Sequence, residues 1–341
     1  MIITIILTIL MLMIITVPHE FGHLITAKIF HIKVNEFAIG MGPLLASKDR
    51  GETKYSLRAI PIGGFCAMEA ENEESDEEGA FNNKPAWQRL IVLASGAAVN
   101  VLVALILMII ITIYVGVPTN TLDKVVPGSP AAMSGLVAGD RITSIDGKES
   151  SSWLDTVTTI SKNTDGKAMR VVVERDGKSR AYTITPTKDK DGRLVIGIVS
   201  RASHNVFVCA GQGVKVTWNL NSQMLGALRQ MVHKGIDRDS VTGPVGMAGL
   251  VNKTAHTGIL SYLYLVALIS LNMAIINLLP FPALDGGRII FVLIRKITGN
   301  MISTKVEGYM HLAGFAILMA LFVLITWQDL SKLLGHEKMG R

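Results

Sequence analysis

With 341 residues, 49% hydrophobic side chains, 18% charged side chains and a mean hydropathy of +0.41, the chain is too apolar for an ordinary soluble protein. The formal charge of +6 does not mark a nucleic-acid binder, because no basic cluster is interleaved with aromatics, and Lys and Arg flanking membrane spans account for the excess. Cys66 and Cys209 lie far apart in different predicted regions, which argues against a disulfide framework and a cysteine metal site.

Four stretches lack Asp, Glu, Lys and Arg: Met1–Pro18, Leu90–Pro118, Thr254–Leu284 and His311–Gln328. Each reaches the roughly 18–20 residues that a bilayer-crossing helix needs. The expected fold is a polytopic α-helical membrane protein with four transmembrane helices. The first segment, 1–30, does not read as a cleaved secretory signal. No Lys or Arg precedes it, no small-x-small site follows it, and its helical pattern continues through His19-Glu20-Phe21-Gly22-His23 towards Phe30.

That pentapeptide is an H-E-x-x-H pattern. On a helix, His19 and His23 stand one turn apart on one face and can bind one metal ion, with Glu20 beside them as general base. Ionisable groups at membrane depth are costly without partners, so the pattern is a functional candidate by default. A catalytic Zn²⁺ takes three protein ligands and keeps one open position. The extended pattern of soluble metzincins would need Gly and His at positions 26 and 29, where this chain has Thr26 and Ile29, so the third ligand lies elsewhere.

Segment 31–86 is expected on the cytoplasmic side. Phe37–Pro43 and Tyr55–Ile60 read as short strands of a membrane-associated β-hairpin, punctuated by Gly40, Gly42, Gly63 and Gly64. The acidic run Glu69, Glu71, Glu73, Glu74, Asp76, Glu77 and Glu78 reads as a solvated linker. The second span is expected over 87–118. A soluble α+β domain follows over 119–201, with Asp176-Gly177 signalling a hairpin between Val171–Arg175 and Arg180–Thr185. Its string Ser-Pro-Ala-Ala, Gly-Leu, Gly-Asp and Ile-Asp-Gly resembles a bacterial PDZ domain. Within 202–253, Val214, Trp218, Leu225, Leu228 and Val232 recur at near-helical spacing, as in an amphipathic helix. That helix could pack against the PDZ-like domain or lie on the membrane surface.

The third segment, 254–287, ends in Asn277-Leu-Leu-Pro-Phe-Pro-Ala-Leu-Asp285-Gly-Gly. Asp285 is the best candidate for the third ligand. The first and third spans run in the same direction, so the H-E-x-x-H pattern and Asp285 reach similar depth. Pro280, Pro282, Gly286 and Gly287 should interrupt the helix there. A loop is expected over 288–309, a fourth span over 310–330 and a tail over 331–341. The first loop and its flanks carry Lys28, Lys33, Lys48, Arg50, Lys54, Arg58, Lys84 and Arg89, and the third span is followed by Arg288, Arg295, Lys296 and Lys305. The tail has only Lys332, Lys338 and Arg341. The positive-inside rule therefore places those two loops, and the candidate site, towards the cytoplasm and the PDZ-like domain outside.

Together, H-E-F-G-H, the glycine-rich hairpin, Gly96-x-x-x-Asn100, one PDZ-like domain, Gly243-Pro-Val-Gly246 and N-x-x-P-x-P-x-L-D-G-G resemble the site-2 protease family of intramembrane metalloproteases over nearly the whole chain. The resembling branch is the bacterial one that cleaves anti-sigma factors and remnant signal peptides. The resemblance implies a bacterial plasma-membrane enzyme with His19, His23 and Asp285 as zinc ligands and Glu20 as base. It further implies that Asn272 and Asn277 hold substrate, that the hairpin pairs with an extended substrate strand, and that the substrates are transmembrane proteins already cut by another protease. Many members carry two PDZ domains, whereas this chain has length for one. The competing class is a non-catalytic receptor or scaffold using the PDZ-like domain, and Glu20 argues against it. Two histidines and a carboxylate could also hold Fe²⁺ or Co²⁺.

Overall fold

The computed structural model describes residues 2–71, 75–163, 165–190, 192–235, 243–299 and 303–339. Glu73, Glu74 and Arg341 lie outside this set, as do the side chains of Val232, Lys332 and Lys338.

In chain order the elements are α1 (Ile2–Ile29), β1 (Val34–Arg50), β2 (Thr53–Met68), a 3₁₀ turn (Phe81–Asn83), α2 (Ala86–Val115) and β3 (Val117–Val125). There follow α3 (Pro130–Met133), β4 (Arg141–Ile145), β5 (Lys148–Glu149), α4 (Trp153–Ser161), β6 (Met169–Arg175), β7 (Lys178–Ile184), β8 (Thr187–Lys188), β9 (Leu194–Val195) and β10 (Ile198–Ser203). The last five helices are α5 (Val206–Lys234), α6 (Pro244–Thr257), α7 (Ile259–Asn277), α8 (Asp285–Thr298) and α9 (Thr304–Met339).

The chain forms two units, one comprising residues up to Met108 together with those from Lys215 onward, the other Ile109–Val214. Among the described residues, four helices are long and apolar enough to cross a membrane: α1, α2, α7 and the Lys305–Ser331 part of α9. Most apolar side chains of α1, α2 and α9 stay at least partly exposed, as lipid-facing surfaces require, whereas α7 is buried over much of its length. On α1 the buried stripe runs Met11, Ile15, His19, His23 and Ala27, at one-turn spacing. On α2 it contains Ser95, Gly96, Ala97 and Asn100. These small residues admit α1 closely: a Cβ on Gly22 would stand 2.7 Å from the Ser95 carbonyl oxygen. Cross-helix hydrogen bonds run from Ser270 Oγ to the Asn100 carbonyl (2.8 Å) and from Tyr262 OH to the Leu7 carbonyl (2.8 Å).

Several boundaries differ from expectation. The hairpin strands are 17 and 16 residues long, so they absorb Gly63 and Gly64, because antiparallel pairing continues through bulges at the glycines. Gly40, at φ +85°, passes so close to Ile60 that a Cβ would meet its carbonyl oxygen at 2.6 Å. The third segment is shorter than expected: α6 stops at Thr257, Gly258 intervenes and α7 ends at Asn277. The expected loop 288–309 is largely helical, since α8 runs on to Thr298 with a strong amphipathic pattern. Segment 202–253 contains α5 and most of α6 instead of one helix. On α5, Val214, Trp218 and Leu225 are exposed and Leu228 is half-buried. The acidic run is not simply solvated: Lys33 Nζ pairs with Glu77 at 2.7 Å and Glu69 at 3.7 Å, and Glu71 pairs with Arg288.

The second unit is an antiparallel sheet in the order β10-β3-β4-β6-β7, with β5 on β4. Asp176 and Gly177 both take positive φ in the two-residue turn between β6 and β7. The core is formed by Leu122, Ile142, Ile145, Met169, Val171, Val173 and Ile184 beneath α3 and α4. Asp140, fully buried, receives Arg175 Nε at 2.5 Å and Nη2 at 2.7 Å and the Val137 N–H at 3.0 Å.

Candidate metal centre

His19 and His23 continue the buried stripe of α1, and Asp285 is the first residue of α8. The loop between α7 and α8 turns the chain back so that the carboxylate enters beside the two imidazoles. His19 Nε2 lies 3.3 Å from His23 Nε2 and 3.3 Å from Asp285 Oδ2, and His23 Nε2 lies 3.5 Å from Asp285 Oδ2. Atoms held about 2.0–2.1 Å from one zinc ion at tetrahedral angles are about 3.3–3.4 Å apart, so this triangle has the size of one face of a zinc site. Among the described residues, these three form the cluster able to hold a metal.

The hydrogen bonding suits a cation in the same place. His23 Nδ1 donates to the Val92 carbonyl at 2.8 Å, so the lone pair of the neutral ring is on Nε2 and points into the triangle. There it meets Asp285 Oδ2, which has no hydrogen-bond donor. The short Nε2–Oδ2 separations therefore bring lone pairs together, an arrangement that a shared positive ion stabilises. The donor set, two imidazoles and one carboxylate, is among those zinc takes in catalytic sites.

Gly96 makes room for this geometry. A Cβ there would collide with His23 Nε2 and come within 2.6 Å of the His19 ring. Four residues on, buried Asn100 approaches His19 Nδ1 at 3.4 Å through Nδ2, leaving Oδ1 without a partner. With the amide ends exchanged, Oδ1 accepts from His19 Nδ1–H, which again turns Nε2 to the triangle. The Gly-x-x-x-Asn spacing carried this information, because residues one turn apart share a face, but nothing local shows that the face meets His19.

Glu20 lies in the same cavity of about 410 Å³, which Phe65, Cys66, Met68, Glu71, Ala283 and Arg288 also line. Its Cγ is 3.6 Å from where a Gly64 Cβ would be, and Cys66 shares the cavity with it. The second half of β2 therefore runs along the base. Asn277 Nδ2 stands 3.2 Å from His19 Nε2, whereas Asn272 is exposed. The Arg288–Glu71 pair at the cavity wall had no signal in the sequence beyond the acidic run.

The peptidase family M50 profile matches residues 7–321. A Clostridium perfringens protein named as a zinc metalloprotease is 36% identical over 315 residues, covering 92% of this chain and 94% of that protein. A Fusobacterium nucleatum protein named likewise is 34% identical over 344 residues, covering 97% and 99%. The regulator of sigma-W protease RasP of Bacillus subtilis is 29% identical over 402 residues, covering 92% and 95%. The PDZ domain of an SdrC-like protein from Listeria monocytogenes is matched at 30% identity with a TM-score of 0.23, covering 24% of this chain and 87% of that one. With the family profile spanning most of its length, the chain belongs to peptidase family M50, the site-2 proteases, and is a multi-pass membrane zinc metalloendopeptidase.

Proposed function

We propose that the enzyme cleaves peptide bonds within or near the transmembrane segments of single-pass membrane proteins, with His19, His23 and Asp285 as zinc ligands and Glu20 as general base. The observation that carries this reading is the 3.3–3.5 Å triangle of two imidazole nitrogens and one carboxylate oxygen opening into the cavity that holds Glu20. Bound there, zinc lowers the pKa of water from about 16 to about 7 and polarises a carbonyl. Glu20 takes the proton of the attacking water and delivers it to the leaving nitrogen. Asn277, whose Nδ2 stands 3.2 Å from His19 Nε2, donates to the carbonyl oxygen as it gains charge. Asn272, exposed on α7, serves substrate one helical face away.

A helical substrate shields its peptide bonds, so it must unwind before attack. The β1–β2 hairpin is membrane-associated and offers a sheet edge whose backbone groups can pair with the unwound strand next to Glu20. The active site lies towards the cytoplasm, because the basic residues cluster in the loops at that end. The PDZ-like domain is outside and admits proteins already shortened by another protease, such as anti-sigma factors and remnant signal peptides. The name of the Bacillus subtilis relative supports the first of these substrate classes.

Glu20→Gln in the purified protein tests the assignment. It should retain zinc and lose cleavage of a membrane-embedded substrate by about 10²–10⁴-fold. Undiminished cleavage overturns the role of Glu20, and a wild-type protein that binds peptide but never cleaves it indicates a receptor or scaffold.

A further inference from the structure

The loop that delivers Asp285 closes one turn of its own, Leu284 N–H to the Phe281 carbonyl at 3.1 Å, around a strained residue. Ala283, two residues before the carboxylate, adopts φ +79°, which residues with a Cβ rarely take without outside support. The Ala283 amide itself is supported from α9. His311 Nδ1 accepts the Ala283 N–H at 2.9 Å. One turn later, Gly314 lies against Pro282 so tightly that a Cβ would run into the Pro282 carbonyl. His311 is itself held: it is buried, its ring meets Phe291 edge-on with centroids 5.4 Å apart, and its Nε2 faces Glu307 at 3.8 Å. Glu307 in turn pairs with Arg295 of α8 at 2.6 Å. Because Nδ1 must accept, the ring hydrogen is on Nε2, on the side of the Glu307 carboxylate.

We propose that His311 is the positioning residue of the third zinc ligand: its Nδ1 pins the Ala283 amide, holds the loop in its left-handed turn and thereby sets the Asp285 carboxylate against His19 and His23. The inference rests on the reading of Asp285 as a ligand. It assigns the fourth span a task at the metal centre, although no α9 side chain belongs to the ligand triangle. His311 touches neither metal nor substrate and acts only through the backbone.

The test uses full-length protein in lipid nanodiscs and measures zinc affinity by chelator competition, kcat on a membrane-embedded substrate, and the melting temperature of the metal-free form. His311→Phe keeps a ring against Phe291 and removes the acceptor, while His311→Asn places an oxygen where Nδ1 was. The phenylalanine variant should bind zinc about 10–100-fold more weakly, the loss typical of removing a group that orients a ligand, with the metal-free melting temperature little changed. The asparagine variant should recover most of that affinity and of kcat. Wild-type zinc affinity in His311→Phe overturns the proposal, as does an asparagine variant no better than phenylalanine. If His311→Phe does not fold, Gly314→Ala displaces the Pro282 carbonyl with His311 in place: it should weaken zinc binding, and unchanged affinity overturns the proposal. Asp285→Asn separates the two levels. If it binds zinc like wild type, the ligand assignment fails whatever position 311 does, and if it loses zinc while His311→Phe keeps it, only the positioning role fails.

Discussion

His23 Nδ1 donates to the carbonyl oxygen of Val92 at 2.8 Å, and this one bond between α1 and α2 decides which ring nitrogen faces Asp285. The Val92 carbonyl also accepts Ser95 Oγ at 2.6 Å, so the acceptor is itself held in place. Without that bond the imidazole could present either tautomer. With it, the lone pair of the neutral ring is on Nε2, the side that faces Asp285.

Zinc removal follows directly. Treatment with a strong chelator should abolish cleavage, and restoring Zn²⁺ should recover it. Asp285→Ala and His19→Ala should each drop zinc from about one equivalent per chain to near none, as three protein ligands become two. Metal analysis of the purified variants checks this, and a full equivalent in either variant removes that residue from the ligand set.

Gly96→Ala separates propensity from space. In an ordinary helix interior the change stabilises by about 0.5–1 kcal/mol. Here the new methyl collides with His23 Nε2 and the His19 ring. The variant should keep its helix content and lose zinc and activity, read by circular dichroism and metal analysis together.

Asn100→Leu removes the only side chain that approaches His19 Nδ1 among the described hydrogen bonds. Zinc affinity should fall by about 10–100-fold, the usual effect of losing an outer partner of a metal-bound histidine. Asn100→Asp, which retains an acceptor oxygen, should lose less. Equal losses in both variants would count against the reversed amide orientation.

The Ile109–Val214 unit should weaken in acid. Burial alone would raise the Asp140 carboxyl, but Arg175 and the Val137 N–H hold it below its ordinary range. A carboxyl depressed on folding contributes stability that is complete above its unfolded pKa of about 3.9 and is lost as pH falls through the lower folded value. Hydrogen exchange at the β4 and β6 amides, corrected for intrinsic rates, should therefore accelerate below about pH 4. Asp140→Asn should show fast exchange already at pH 7 and little further change in acid. An identical acid response in the variant would show that other groups control it.

Span positions and the H-E-x-x-H pattern were legible in the chain because both depend on local properties: hydropathy over about 20 residues, and one-turn spacing on a helix. Asp285 could be paired with the histidines from the parity of the spans alone. The two asparagines show where that kind of reasoning stops. Asn272 and Asn277 are five residues apart, about 140° around the helix, so they cannot face the same point, yet nothing local says which one turns inward. Packing of α7 on α1 puts Asn277 at His19 and leaves Asn272 exposed. Likewise, the sequence by itself determined that this chain crosses a membrane and carries the residues of a zinc peptidase. Only the tertiary structure decided that Gly96 vacates space for the imidazoles, that Asn100 meets His19 and that His311 holds the Ala283 turn, because each depends on contact between helices remote in the chain.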